Sequence, residues 1–288
     1  MPSPPNKSSD PTRRAIRLTF VNALVWAVGN GLLSTTLVVY LALELGAQGI
    51  AISWILASPR LAGVFRLAVP ALIHSAASRR LGGRKSVCIG AYAASALILV
   101  LVPVGAIGAG AFGSNWGIVV LVVAWCVYHL IEYTATIALW SWLGDLYPAR
   151  LQSRIIGRRE RWLVVGRIIG MGVSLALATL WGWTLSEADR WAPLAASASI
   201  GAVLMLLAAL ILVTVPAMAH KPSARVEAPW YTLRSALAER PYRRLLTYSC
   251  AFGVANGLTG SAQAMYPQRV LGFAFEHMLV MRVGMRAG

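Results

Sequence analysis

Charge is scarce in this chain, and negative charge is scarcest. Only 12% of the 288 residues are Asp, Glu, Lys or Arg, about half the ~25% of a soluble domain. Ten acidic residues stand against 26 Lys and Arg, a formal net charge of +16. Cysteine is scarce as well: Cys88, Cys126 and Cys250 are odd in number, match no ligand spacing and lie in apolar runs. That excludes a disulfide framework and a thiolate metal site, and leaves buried inert thiols. No nucleophile–base arrangement and no cluster of metal-ligating residues stands out, so neither an enzyme nor a cofactor or metal is expected. Strict apolar–polar alternation is missing too. Runs such as ALILVLVPVG exclude an outer-membrane barrel, which alternates every second residue.

What the chain does have is apolar length. It is 58% hydrophobic and holds several uncharged stretches of about 20 residues, enough to span a bilayer as a helix. The expected class is an all-α integral membrane protein. Residues 1–17 read as a disordered, Pro/Ser-rich N-terminus. The apolar run after Arg13, Arg14 and Arg17 is longer than the roughly 7–15 residues of a signal core, so it reads as an uncleaved first span. Spans are expected at about Leu18–Leu45, Ile50–Ala77, Val87–Val104, Ile118–Leu146, Trp162–Trp183 and Pro193–Val215.

The loop charges alternate on that count. Loops two and four carry Arg79, Arg80, Arg84 and Lys85, then Arg150, Arg154, Arg158, Arg159 and Arg161. Loops one, three and five carry Glu44, nothing charged, and Glu187, Asp189 and Arg190. Basic loops stay inside, so both ends of the six-span unit are expected in the cytoplasm. This positional pattern assigns the positive charge to a membrane face and not to nucleic acid. Trp116, Trp181, Trp183 and Trp191 at outer ends, and Trp140, Trp142 and Trp162 at inner ends, read as interfacial anchors.

The chain also repeats itself. Asn30 to Gly46 recurs as Asn256 to Gly272, keeping Asn-Gly-Leu, a Tyr and a Leu-Gly at the same spacings. In the same register Trp26 falls on Phe252, Val28 on Val254, Arg14 and Arg17 on Arg240 and Arg243, and Arg60 on Arg286. A repeat this long is a duplicated domain. The expected division is a six-span unit at 18–216, a connector at 217–244 with a short amphipathic helix in PWYTLRSALAERPYRR, and the opening of a second unit at 245–288. Span seven is expected over Leu245 to about Met265, and a cut-short span eight from Phe273.

Six spans, a basic connector and a second copy in the same orientation resemble the major facilitator superfamily of secondary transporters, whose two six-helix halves are related by an axis along the membrane normal. The loop SRRLGGRK is similar to the family's signature between spans two and three, with Arg80, Gly83, Arg84 and Lys85 matching its end. Its acidic member is absent; Ser78 or Arg79 stands there. Asp145, Tyr147 and Pro148, followed by Arg154, Gly157, Arg158 and Arg159, resemble the loop between spans four and five. Gly166, Gly170 and Gly172 match part of the antiporter signature of span five, without its proline. The resemblance implies a six-helix bundle followed by one or two helices of a truncated second bundle. It also implies that spans one, two, four and five line a central cavity.

The charges inside spans follow that division: Arg60 and Arg66 in span two, His129 and Glu132 in span four, Arg167 in span five, none in spans three and six. Asn22, Trp26, Asn30 and Ser34 recur every four residues on span one and share a drifting face. Cavity lining and helix–helix hydrogen bonding both account for them; Asn256 repeats Asn30. His129 and Glu132 share a face and read either as a proton-coupling pair or as a structural bridge from Glu132 to Arg66 or Arg60. Gly29 and Gly31 read as close-packing positions, and Arg167 as a snorkelling charge near the span end.

The expected function is transport of a small solute by alternating access, with a coupling proton or cation as a candidate partner, in a multi-pass protein of a bacterial inner membrane. The chain is expected to need the missing second half or a partner subunit. The alternative is a six-to-seven-span module that acts through a partner protein.

Overall fold

The computed structural model describes residues 11–64, 83–147, 149–182, 191–215, 234 and 237–287. Among these the regular elements are all helices: α1 (Pro11–Leu32), α2 (Thr35–Glu44), α3 (Gly49–Val64), α4 (Arg84–Leu99), α5 (Leu101–Phe112), α6 (Ser114–Leu146), α7 (Ala149–Gly182), α8 (Trp191–Val213), α9 (Arg240–Arg269) and α10 (Phe275–Ala287). Five helical stretches among them are long and apolar enough to cross a membrane: Arg14–Glu44, Arg84–Ala109, Ser114–Gly144, Leu151–Trp181 and Trp191–Val213. Their outward faces carry large apolar side chains such as Leu97, Ile107, Val119, Val123 and Leu210, which suits lipid and not water. The second part of span two and residues 216–233, 235 and 236 lie outside the described residues, and with them the start of the expected amphipathic helix; α9 begins at Arg240, inside the expected connector, with Pro241 in its first turn.

The chain is built around α1, which packs most extensively on α7 and α8. Glycines make that possible. A Cβ on Gly29 would stand 2.7 Å from the Gly201 carbonyl oxygen, and one on Gly201 would stand 2.8 Å from that of Gly29. Against α7, a Cβ on Gly170 would run into the Val28 carbonyl and lie 2.9 Å from both Gly31 Cα and Leu32 N. Backbones meet directly there, as small residues permit in membrane helices. Hydrogen bonds lock the arrangement. The Ser197 hydroxyl donates to Leu32 O (3.1 Å) and shares a bond of 2.9 Å with the Ser174 hydroxyl, and Thr19 and Tyr147 share one of 2.7 Å. Burial raises the Tyr147 pKa above its ordinary value, against the opposing pull of the Thr19 bond and the nearby Arg159 charge.

Several boundaries differ from the sequence reading, beginning with α1, which starts at Pro11 inside the stretch 1–17 read as disordered. Span one breaks at Ser34, which has an extended backbone (φ −64°, ψ 153°) and caps α2 by accepting from Leu37 N (3.3 Å). Serine is a strong N-cap, and a hydropathy window does not register it. Span three continues through a step at Val100 into α5, where Pro103 falls in the first turn and needs no helical donor. The expected third loop shrinks to Gly113, at φ 93°, and the α5–α6 hairpin closes on Gly105 and Gly117. The arginine-rich fourth loop is helical as well, being the first turns of α7.

Two inner tryptophans have cationic partners of their own. The Lys85 ammonium lies 5.8 Å from the centre of the Trp142 ring, and the Arg159 guanidinium 5.1 Å from that of Trp140. Trp142 is buried, so it packs inside the protein and does not anchor at the lipid interface.

Candidate functional site

Polar and aromatic side chains of α1, α2, α6, α7 and α10 converge on one cavity of about 470 Å³, within the roughly 300–1,000 Å³ of small-molecule sites. From α1 and its break come Trp26, Asn30 and Ser34, and from the start of α2 Thr35 and Thr36. From α6 come Trp125, Tyr128, His129, Glu132, Tyr133 and Thr136. Arg167 and Met171 of α7, Pro59 of α3 and Arg282 of α10 complete the wall. Asn30, His129, Glu132 and Arg167 all fall near the middle of their membrane-length stretches, so the cavity lies near mid-depth.

Local chemistry positions these groups. Pro59 interrupts α3 and has no N–H for the carbonyl one turn back, that of Ile55. Two side chains use the freed oxygen: the Ser58 hydroxyl (2.9 Å) and the Trp125 indole N–H (3.2 Å). Trp125 is thereby fixed, and His129 stands edge-on to it with ring centroids 4.7 Å apart. Tyr128 packs on both rings and accepts from the Asn30 amide (3.2 Å). The Glu132 carboxylate accepts from Thr136 (2.9 Å), whose hydroxyl also bonds Tyr92 (3.1 Å). Tyr92 packs edge-on against Trp26 at 4.4 Å. A continuous polar and aromatic layer thus ties α1, α4 and α6 together.

The closing wall comes from the second copy. The Tyr40 hydroxyl donates to Phe273 O (3.0 Å) and its ring meets Phe275 at 5.5 Å. These contacts dock α10 against α2, and α10 also packs on α7, with Arg282 near Tyr40 and at the cavity.

Of the residues singled out from sequence, Trp26, Asn30, Ser34, His129 and Glu132 share this cavity. Asn22 does not: its amide donates to Ala208 O (2.8 Å) and holds α1 to α8. Each four-residue step overshoots a full helical turn by about 40°, so Asn22, two steps before Asn30, faces a different neighbour. Arg60 does not either; it is exposed on α3. Arg66 and Arg80 lie outside the described residues, as does the side chain of Asn256. Arg167 is no end-of-span charge, because α7 begins at Ala149 and puts it well inside the helix. Sequence reasoning missed Tyr128, Tyr133 and Thr136, although they share the one-turn spacing of Trp125, His129 and Glu132. It also missed Arg282, whose counterpart in the first copy, Leu56, is uncharged.

Two of the loop-signature residues, Lys85 and Arg158, have structural partners on neighbouring helices. Gly83 (φ 83°) starts α4, with Arg84 in the first turn. The Lys85 ammonium donates to Val213 O (2.8 Å) and Val215 O (2.6 Å) and caps the end of α8. Arg154 and Gly157 are exposed on α7, and the Arg158 guanidinium lies over the Phe20 ring at 5.5 Å. The Asp145 side chain and Pro148 lie outside the described residues.

The family model described as Major Facilitator Superfamily matches residues 18–288. No curated protein and no solved structure matches the chain.

Proposed function

Since the chain belongs to the Major Facilitator Superfamily, and is thus a multi-pass membrane transporter of that kind, we propose that its solute binds in the mid-depth cavity between α1, α6 and α7. The observation that carries this reading is the cavity itself. Its wall combines planar apolar surface with convergent donors and acceptors, the composition of a small-molecule site. It sits beside a broken helix, as transporter sites typically do. Trp26, Asn30, Ser34, His129 and Glu132 are its binding groups in this reading, and Glu132 is the group suited to carry a coupling proton.

Residues 18–216 form the first half of the transporter, 217–244 the connector and 245–288 the start of the second half. The basic residues of α7 and of the α4 start face the cytoplasm, which puts the N-terminus inside a bacterial inner membrane.

Alternating access is testable before any solute is known. In a chain with Cys88, Cys126 and Cys250 replaced by alanine, Ser34→Cys should react with an impermeant thiol reagent in both right-side-out and inside-out vesicles. Reaction from one side only would deny alternation. Reaction from neither side would favour the module that acts through a partner protein.

A further inference from the structure

We propose that the ligand of this cavity is a small organic monoanion with an aromatic or other planar apolar body, a carboxylate being the simplest case. The inference rests on the cavity being the solute site and adds the chemical class.

Three observations carry it. First, charge: among the described residues, two guanidiniums, Arg167 and Arg282, line the cavity against one carboxylate, Glu132. Among the described residues neither guanidinium makes an ion pair or a hydrogen bond. A lone guanidinium at mid-depth in a membrane is costly and ordinarily finds an anion or water. One surplus positive charge asks for one negative charge.

Second, unmet hydrogen bonding. Six buried side-chain polar atoms have no partner among the described residues, and three of them belong to this cavity: Thr36 Oγ1, His129 Nε2 and Arg167 Nε. Each can donate, Arg167 always and His129 in one tautomer. Buried unpaired groups are rare in proteins and often mark a missing ligand, ion or water. Arg167 Nε can only donate, and Thr36 and His129 can turn a donor to the same ligand, so the three together suit the oxygens of an anion.

Third, shape and surface. Trp26, Trp125, Tyr128 and Tyr133 give the wall flat apolar faces, which suit a planar body better than a fully hydroxylated one. A bare inorganic anion would satisfy the charge and leave those faces unused.

The test uses the purified full chain in nanodiscs, with benzoate, benzamide, benzylamine and inorganic phosphate as probes, read by calorimetry and thermal shift. Benzoate should bind saturably, at least tenfold tighter than each of the other three. Arg282→Gln should weaken benzoate at least tenfold and leave benzamide unchanged. If Arg282→Gln fails to fold, the benzoate–benzamide comparison on the unaltered chain still decides. Benzamide or benzylamine equal to benzoate would overturn the proposal, as would phosphate binding tightest or none of the four binding. Should Ser34→Cys remain reactive from both sides while benzoate fails, the solute site stands and only its anionic class falls. Should Ser34→Cys react from neither side, both fall.

Discussion

The contact between α1 and α7 can be tested with two substitutions two residues apart. At Gly170 an added Cβ collides with the Val28 carbonyl and lies 2.9 Å from Gly31 Cα and Leu32 N. Unstrained carbon contacts lie at about 3.5–4.0 Å, so the helices would have to separate by up to about 1 Å. The obstructing atoms are backbone on both sides, so no side chain can rotate away. At Gly172 the same Cβ meets nothing within 4 Å. Gly170→Ala should therefore cost about 1–3 kcal/mol by overpacking, less whatever alanine regains in helix propensity. At roughly 2–4 °C per kcal/mol in this size class, that is a fall of about 2–12 °C in unfolding midpoint. Gly172→Ala should gain a little, up to about 1 kcal/mol, from helix propensity alone. Fluorescence-detected size-exclusion after heating, in detergent, reads both. Equal midpoints for the two variants would refute the backbone-to-backbone contact.

Other substitutions probe separate parts of the structure. Lys85→Met removes two charge-assisted bonds to the end of α8 and should lower stability by about 1.5–3 kcal/mol, measured as the same midpoint; no loss would mean that water caps Val213 and Val215 equally well. Asn22→Ala leaves the Ala208 carbonyl without its partner and should cost about 1–3 kcal/mol, while solute binding keeps its affinity because Asn22 is outside the cavity. In a cysteine-free background, Gln152→Cys should resist an external impermeant reagent and Ser114→Cys should react with it, and the reverse pattern would invert the proposed orientation.

Much of this architecture could be read from residue spacing, and the exceptions have physical causes. The stripes Trp26–Asn30–Ser34 and His129–Glu132 were visible because side chains one turn apart share a face. Which residues extend a stripe depends on where neighbouring helices touch, and spacing does not contain that. Asn22 passed to α8 for this reason, and Tyr128 passed to the cavity. Charge misled at α7, where Arg150 to Arg161 read as a loop. Arginine is a good helix former, and a positive cluster near the membrane face is compatible with helix or loop. Arg282 was hidden differently: the repeat directs attention to positions that match, and Leu56 gives it no counterpart.

Span one illustrates how one helix can serve packing and binding at once. Its glycines at 29 and 31 leave no room for side chains toward α8 and α7, so its large polar groups are confined to the remaining arc, where Trp26 and Asn30 meet the cavity. The two functions should then separate under mutation. Asn30→Ala should weaken solute binding with little change in midpoint, since its Tyr128 bond lies only partly buried. Gly170→Ala should lower the midpoint and, by shifting α1 bodily, weaken binding too. Binding that survives Gly170→Ala at full strength would show that α7 yields while α1 stays in place. That result would make α8, through the Gly29–Gly201 contact and the Ser197 bond to Leu32, the element that sets the position of the cavity wall.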